Sequence, residues 1–138
     1  MNWMLLPYRR YFEIAGRSRR MEFWMFTLFG MLVNAAITVM FGRTAYTAMG
    51  WYAGVSTQLN TTGDIVSGLF GLFSLVPSVT VAVRRLHDID RSGWWLLLIF
   101  LPIIGWFTLL VFYCLDGTRG SNRFGSDPKN PADVDVFA

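Results

Sequence analysis

Three stretches of the chain carry no charged side chain and are dominated by apolar ones: Phe23–Phe41, Ile65–Val83 and Ser92–Leu115. A helix needs about 20 apolar residues to cross a bilayer core of roughly 30 Å, so each run is long enough to span once. Unpaired backbone amides in lipid cost several kcal/mol each, which excludes open strands and loops. Outer-membrane strands alternate apolar and polar positions, and these runs do not. The pattern predicts an all-α polytopic integral membrane protein with three transmembrane helices, at about 23–41, 65–83 and 92–115.

The third run contains Pro102 and Gly105 near its centre. It reads either as one kinked span, about 36 Å long, or as a hairpin turning at Pro102, with arms of only about 18 Å. Length selects the single span; the alternative is four segments. Counting Lys and Arg pulls the other way. With three spans, the N-terminal segment (Arg9, Arg10, Arg17, Arg19, Arg20) and the second connection (Arg84, Arg85, Arg91) share one side, facing Arg43, Arg119, Arg123 and Lys129. The positive-inside rule puts the N-terminus in the cytoplasm. A hairpin would bring Arg119, Arg123 and Lys129 to the same side, which that rule favours further.

The remaining segments read as peripheral. Met1–Tyr11 mixes aromatic and apolar residues with Arg9 and Arg10, as an N-terminal interfacial helix would. Thr44–Gly63 is uncharged too but rich in Thr, Gly and Ser, and reads as an extramembrane loop with an interfacial turn at Trp51 and Tyr52. Asn60-Thr61-Thr62 matches a glycosylation sequon, a weak signal by itself. Residues 1–128 form a single membrane domain, and 129–138 are expected to be a polar, mobile tail.

Composition agrees with the membrane reading. Charged residues make up 15% of the chain, where a soluble domain carries about a quarter. The net charge is +3, but the basic residues sit in short blocks between apolar runs, and no stacking platform or nucleic-acid module accompanies them. The lone Cys114 excludes an internal disulfide. No cleavable signal peptide is expected, because Arg9 and Arg10 follow the short apolar stretch Trp3–Leu6 at once.

Two polar features carry the candidate chemistry. Inside the spans, Thr27, Gly30, Asn34 and Thr38 share one helical face, as do Ser67, Gly71, Ser74 and Ser78. Small residues let membrane helices approach closely, so Gly30, Asn34, Gly71 and Ser74 are expected to pack the first two spans together, with Asn34 donating across. No charged residue or histidine lies within a span, so proton-relay parts are missing. Beside the spans lies a block with Arg17, Arg20 and Glu22, and another with Arg84, Arg85, His87, Asp88 and Arg91. If the second helix continues, Arg84 and Asp88 form an i, i+4 pair. Glu22 and Asp88 are expected to pair with arginines of the opposite block. A single His and two carboxylates among arginines make a poor metal site, and no activated-serine motif surrounds Ser92. Anionic lipid headgroups suit the arginines better.

Longer motifs run through these blocks: Phe12-x-x-x-Gly16-Arg17-x-x-Arg20-x-Glu22-Phe23-Trp24, Arg84-Arg85-Leu86-His87-Asp88-x-x-Arg91-Ser92-Gly93-Trp94-Trp95, Pro102-x-x-Gly105-Trp106, and Gly117-Thr118-x-Gly120-x-Asn122-Arg123-Phe124-Gly125-x-Asp127-Pro128. Together they resemble the YhaH-like bacterial inner-membrane proteins, the domain of unknown function numbered 805. The resemblance implies a bacterial cytoplasmic-membrane location and an even number of spans, which would favour the hairpin. It implies no activity and no catalytic residues. Three residues separate Phe12 from Gly16 where one is usual, and Ser126 stands in place of a proline.

The reading is a small non-enzymatic membrane protein, without cofactor or metal. Its cytoplasmic-face cluster of Arg, Glu, His and Asp would bind anionic lipid or a membrane protein partner, a second copy included. The alternative is a subunit of an oligomeric transporter. If the hairpin forms, Asn122, Arg123 and Asp127 would join the cluster.

Overall fold

The computed structural model describes residues 3–49 and 52–129. They fall into two compact parts: one runs up to Thr27 and resumes at Val76, and the other is Leu28–Leu75. Two long helices, α2 (Arg20–Phe41) and α3 (Thr61–Asp88), are each long and apolar enough to cross a membrane. Most of their apolar side chains are exposed, including Met31, Val39, Leu69 and Leu72. A soluble core helix would bury them, so this is the surface of helices whose solvent is lipid. Both exceed the charge-free runs because their charged ends continue the helix: Arg20 and Glu22 open α2, and Arg84 to Asp88 close α3.

The helix expected at the N-terminus is a single turn, α1 (Leu6–Arg9), with Pro7 buried and Tyr8 edge-on to Phe26 at 5.2 Å. Pro at the start of a helix costs nothing, since its missing N–H would have been unpaired there anyway.

Two expectations are overturned. First, the stretch read as a loop holds an antiparallel hairpin, β1 (Gly42–Met49) with β2 (Tyr52–Leu59), in register from Gly42 opposite Leu59 to Met49 opposite Tyr52. Thr, Tyr and Val favour strands, so the domain is helical with one hairpin inserted rather than strictly all-α. The turn expected at Trp51 lies outside the described residues. Asn60, the sequon residue, is spent on capping: its Oδ1 accepts from Gly63 N at 2.8 Å, at the start of α3.

Second, Ser92–Leu115 is not one helix. A 3₁₀ segment, Gly93–Phe100, turns at Leu101-Pro102-Ile103 and returns as α4 (Ile104–Cys114). Leu101 is extended (φ −96°, ψ 102°), as the ring of a following proline requires. Ile103 has φ 66°, a strained value for a β-branched residue. Gly105 lets the arms close, since a Cβ there would collide with the Leu98 carbonyl. Trp95 packs edge-on to Phe112 at 5.5 Å across the pair, and Trp106 Nε1 donates to Ile99 O at 2.8 Å. Trp106, Phe100, Ile103, Ile104 and Phe107 are all exposed near the tip.

Packing of the stripe residues also departs from expectation. Asn34 Nδ2 donates to Gly30 O of its own helix at 2.9 Å, not across to α3. Thr27 and Thr38 likewise donate to carbonyls one turn back. A Cβ at Gly30 or Gly71 would meet nothing within 4 Å. A hydroxyl or amide on an isolated apolar helix bonds to the nearest carbonyl, four residues back, when no partner lies opposite.

Candidate functional site

The end of α3 determines the site. Leu86 and His87 carbonyls accept from Arg91 N at 2.9 Å and Asp90 N at 3.0 Å, the double bond that closes a helix through a left-handed residue. That residue is Asp90, at φ 58°. The chain therefore turns sharply after Asp88, and the arginines of the last turn stay buried: Arg84, Arg85 and Leu86 are fully inaccessible.

Around this turn the opening, central and C-terminal motifs interlock. Asp88 takes one guanidinium on each oxygen: Arg17 Nε donates to Oδ1 at 3.0 Å and Arg85 Nη1 to Oδ2 at 2.6 Å. Arg85 is the i, i+3 neighbour, so the expected i, i+4 pair of Arg84 with Asp88 is replaced. Arg84 instead lies 3.0 Å from Glu22. The two are joined by charge rather than by aligned hydrogen bonds, for neither Arg84 Nη2 nor Glu22 Oε1 meets hydrogen-bond geometry. Glu22 and Asp88 thus pair with arginines of the opposite block, as their burial demands.

The chain returning from the hairpin supplies carbonyls to the same arginines. Arg17 donates to Thr118 O at 2.5 Å and Gly120 O at 2.6 Å, and Arg85 to Leu115 O. Thr118 N donates to Asp88 O at 2.8 Å. Gly117 must be glycine, because a Cβ would overlap the Asp88 carboxylate. Asn122 Nδ2 donates to His87 O at 2.9 Å. The Phe124 ring stacks on His87 with centroids 3.9 Å apart and planes 3° from parallel. Asp127 accepts from Gly120 N and Lys129 N; chiefly through the Lys129 amide, these donors hold its carboxyl below the usual Asp range.

The expected site residues divide accordingly. Arg17, Glu22, Arg84, Arg85, His87 and Asp88 converge, joined by Asn122 and Asp127. Arg20 stands at the rim, paired with Asp116 at 2.5 Å. Arg123 stands there too, paired with Asp90 at 3.1 Å. Arg91 turns away over the Trp95 and Phe112 rings, at 5.4 and 5.8 Å. Sequence reasoning gave no role to Ser18, whose N–H donates to Arg84 O at 3.1 Å, or to Thr118 and Phe124. Ser18 lies within the opening block and Thr118 and Phe124 within the C-terminal motif, and membership of those motifs was their signal. Among the described residues, no three His, Cys, Asp or Glu side chains could hold a metal ion.

Apolar helices with exposed faces, tied at one end by a buried charged knot, define an integral membrane protein. Residues 11–126 match the family described as Protein of unknown function (DUF805), and the chain belongs to it. It is 43% identical to the inner membrane protein YhaI of Escherichia coli (strain K12), over 94% of this chain and 97% of YhaI. Identity to YhaH of the same strain is 41%, over 94% of this chain and 98% of YhaH. YiiR is more distant, at 27% identity over 78% of this chain. No solved structure matches.

Proposed function

We propose that this is a small, non-enzymatic, multi-pass inner-membrane protein that holds anionic lipid headgroups at its cytoplasmic rim. The observation that carries the reading is how the arginines divide. Arg17, Arg84 and Arg85 are buried and committed to Asp88, Glu22 and backbone carbonyls. Arg9 and Arg119 are exposed and have no ion-pair partner among the described residues. The buried arginines serve the fold, and the exposed ones are left for phosphate, at about 1 kcal/mol each near a charged surface. Asn34, Thr27 and Thr38 spend their donors within α2, which weighs against the transport alternative.

The hairpin supports a re-entrant or four-segment topology. Ser92 follows Asp88 closely, and Leu115 bonds to Arg85, so the stretch starts and ends beside the same knot. Its arms, about 16 Å each, are short of a bilayer. A cysteine placed after Asp127 in a Cys114→Ser background should resist an impermeant thiol reagent on intact cells and react after lysis. Labelling from outside would refute this topology.

The lipid reading is tested by native mass spectrometry on protein purified from bilayers of mixed phosphatidylcholine and phosphatidylglycerol. Retained lipid should be enriched in phosphatidylglycerol, and Arg9→Gln with Arg119→Gln should remove the enrichment without lowering thermal stability. Equal enrichment in that variant would overturn it.

A further inference from the structure

Beside the knot, between the last three turns of α3 and the 3₁₀ segment, lies an open apolar groove with a volume of about 710 Å³. Phe23, Val79, Ala82, Val83, Leu97 and Phe100 form much of its wall. Its size and lining suit a small-molecule site, which is normally apolar with a few fixed polar groups.

His87 supplies such a group. The side chain is buried, with 8% of the residue exposed, and it also lines the groove. Its Nδ1 lies 3.3 Å from Gly16 O. A carbonyl can only accept, so this contact assigns the proton of the neutral ring to Nδ1 and leaves Nε2 with a lone pair. Among the described residues the ring's hydrogen-bond contact is through Nδ1, and Nε2 has no partner. It points toward Gly93 in the groove wall, where an added Cβ would lie 3.7 Å from Nε2 and 2.8 Å from Val83 Cγ1. Phe124 stacked on one face of the ring fixes its orientation. Nε2 is not among the fully enclosed polar atoms, so a ligand's donor can reach it from the groove, and a hydrogen bond made in so apolar a wall is stronger than the same bond in water.

The groove also has a direction. Ser78, Val79, Ala82, Val83 and His87 follow one another along about 13 Å of α3. The polar end, with His87 and Ser92, adjoins the charged knot, and the apolar end reaches Phe100 next to the hairpin tip. We infer that this groove binds a single aliphatic chain ending in a hydroxyl or protonated carboxyl group. The terminal O–H donates to His87 Nε2, and the chain lies along α3 toward the hairpin tip. This site is separate from the arginine rim and requires neither anionic lipid nor Arg9 or Arg119.

The test uses the full chain in phosphatidylcholine nanodiscs, with octadecanol, octadecanoic acid and octadecane as probes and thermal unfolding as the readout. The alcohol, and the acid at mildly acidic pH, should raise the midpoint; octadecane should bind roughly tenfold more weakly, for lack of one hydrogen bond. His87→Phe keeps a ring to stack on Phe124 and should erase the difference between alcohol and alkane. Val79→Trp fills the groove from a wall remote from the knot and should abolish binding of both while the apo midpoint stays near wild type. Equal response of the wild type to alcohol and alkane would overturn the role of His87. No response to any probe, or a co-purifying diacyl phospholipid displaced by Val79→Trp, would overturn the single-chain ligand.

Discussion

Near the end of α3, arginine, aspartate and glutamate are among the most buried of the described residues, and Gly117 is held against the Asp88 carboxylate. Between Leu28 and Leu75, the helical side chains are mostly apolar and mostly exposed, and Gly30, Gly68 and Gly71 face open space. The two regions use opposite means of stabilisation. The first relies on charge pairs that are strong only while every partner is present, because each buried ion needs a counter-charge to offset its desolvation. The second relies on helical hydrogen bonds within each helix and on lipid as solvent, which do not depend on any one side chain. Substitutions should therefore be costly in the first region and nearly silent in the second.

The largest effect is expected at Asp88. Replacing it with alanine leaves the Arg17 and Arg85 guanidiniums buried beside one another without their shared counter-ion. Breaking a buried pair by removing one partner costs about 3–5 kcal/mol. In detergent, Asp88→Ala should unfold well below the wild type, and Arg85→Ala should fall substantially too, whereas the exposed Arg9→Ala should stay close to wild type. Similar midpoints for Arg85→Ala and Arg9→Ala would remove the distinction between buried and rim arginines.

A smaller, pH-dependent effect is expected at Asp127, which ties the C-terminal motif to itself through the Gly120 and Lys129 amides. Its folded-state pKa is depressed, so the unfolded chain takes up the proton first as the pH falls. The stabilisation is complete above the ordinary Asp range and disappears as the pH drops through the lower folded value. Asp127→Asn should cost about 1 kcal/mol at neutral pH, by turning charge-assisted hydrogen bonds into neutral ones. Its unfolding midpoint should converge with that of the wild type in acid. A gap independent of pH would show that the carboxylate charge is not what the amides hold.

The difference between the regions also explains which parts could be read from the sequence. The long helices were legible because an uncharged run of this length has few other uses. That Glu22 and Asp88 pair with arginines of the opposite block was legible because a carboxylate beside lipid needs a cation, but not which arginine: Arg84, expected opposite Asp88, lies against Glu22. The hairpin at Pro102 stood only as the alternative, favoured by the Lys and Arg count, because the length of Ser92–Leu115 argued for one span. What decides the matter is tertiary: Gly105 admits the Leu98 carbonyl, and Leu115 and Thr118 close back on Arg85 and Asp88. The strands escaped notice because Thr44–Gly63 lacks a clean alternation, and strand propensity depends strongly on context. Backbone carbonyls as arginine partners leave no mark on a sequence at all.

The smallest expected effect tests the second region directly. Gly30 lies within α2, where glycine is about 1 kcal/mol less favourable than alanine, and a Cβ there meets no atom within 4 Å. Gly30→Ala should therefore be neutral or stabilise by up to about 1 kcal/mol, as should Gly71→Ala in α3. Asn34→Leu should likewise leave the fold intact, because among the described residues the amide it removes bonds to Gly30 O of its own helix and not to α3. Thermal unfolding in a bilayer nanodisc measures all three. Loss of stability in Gly30→Ala and Gly71→Ala together, growing with protein concentration, would mean that a second copy packs on these faces in the membrane and that the open space of the single chain is filled by association.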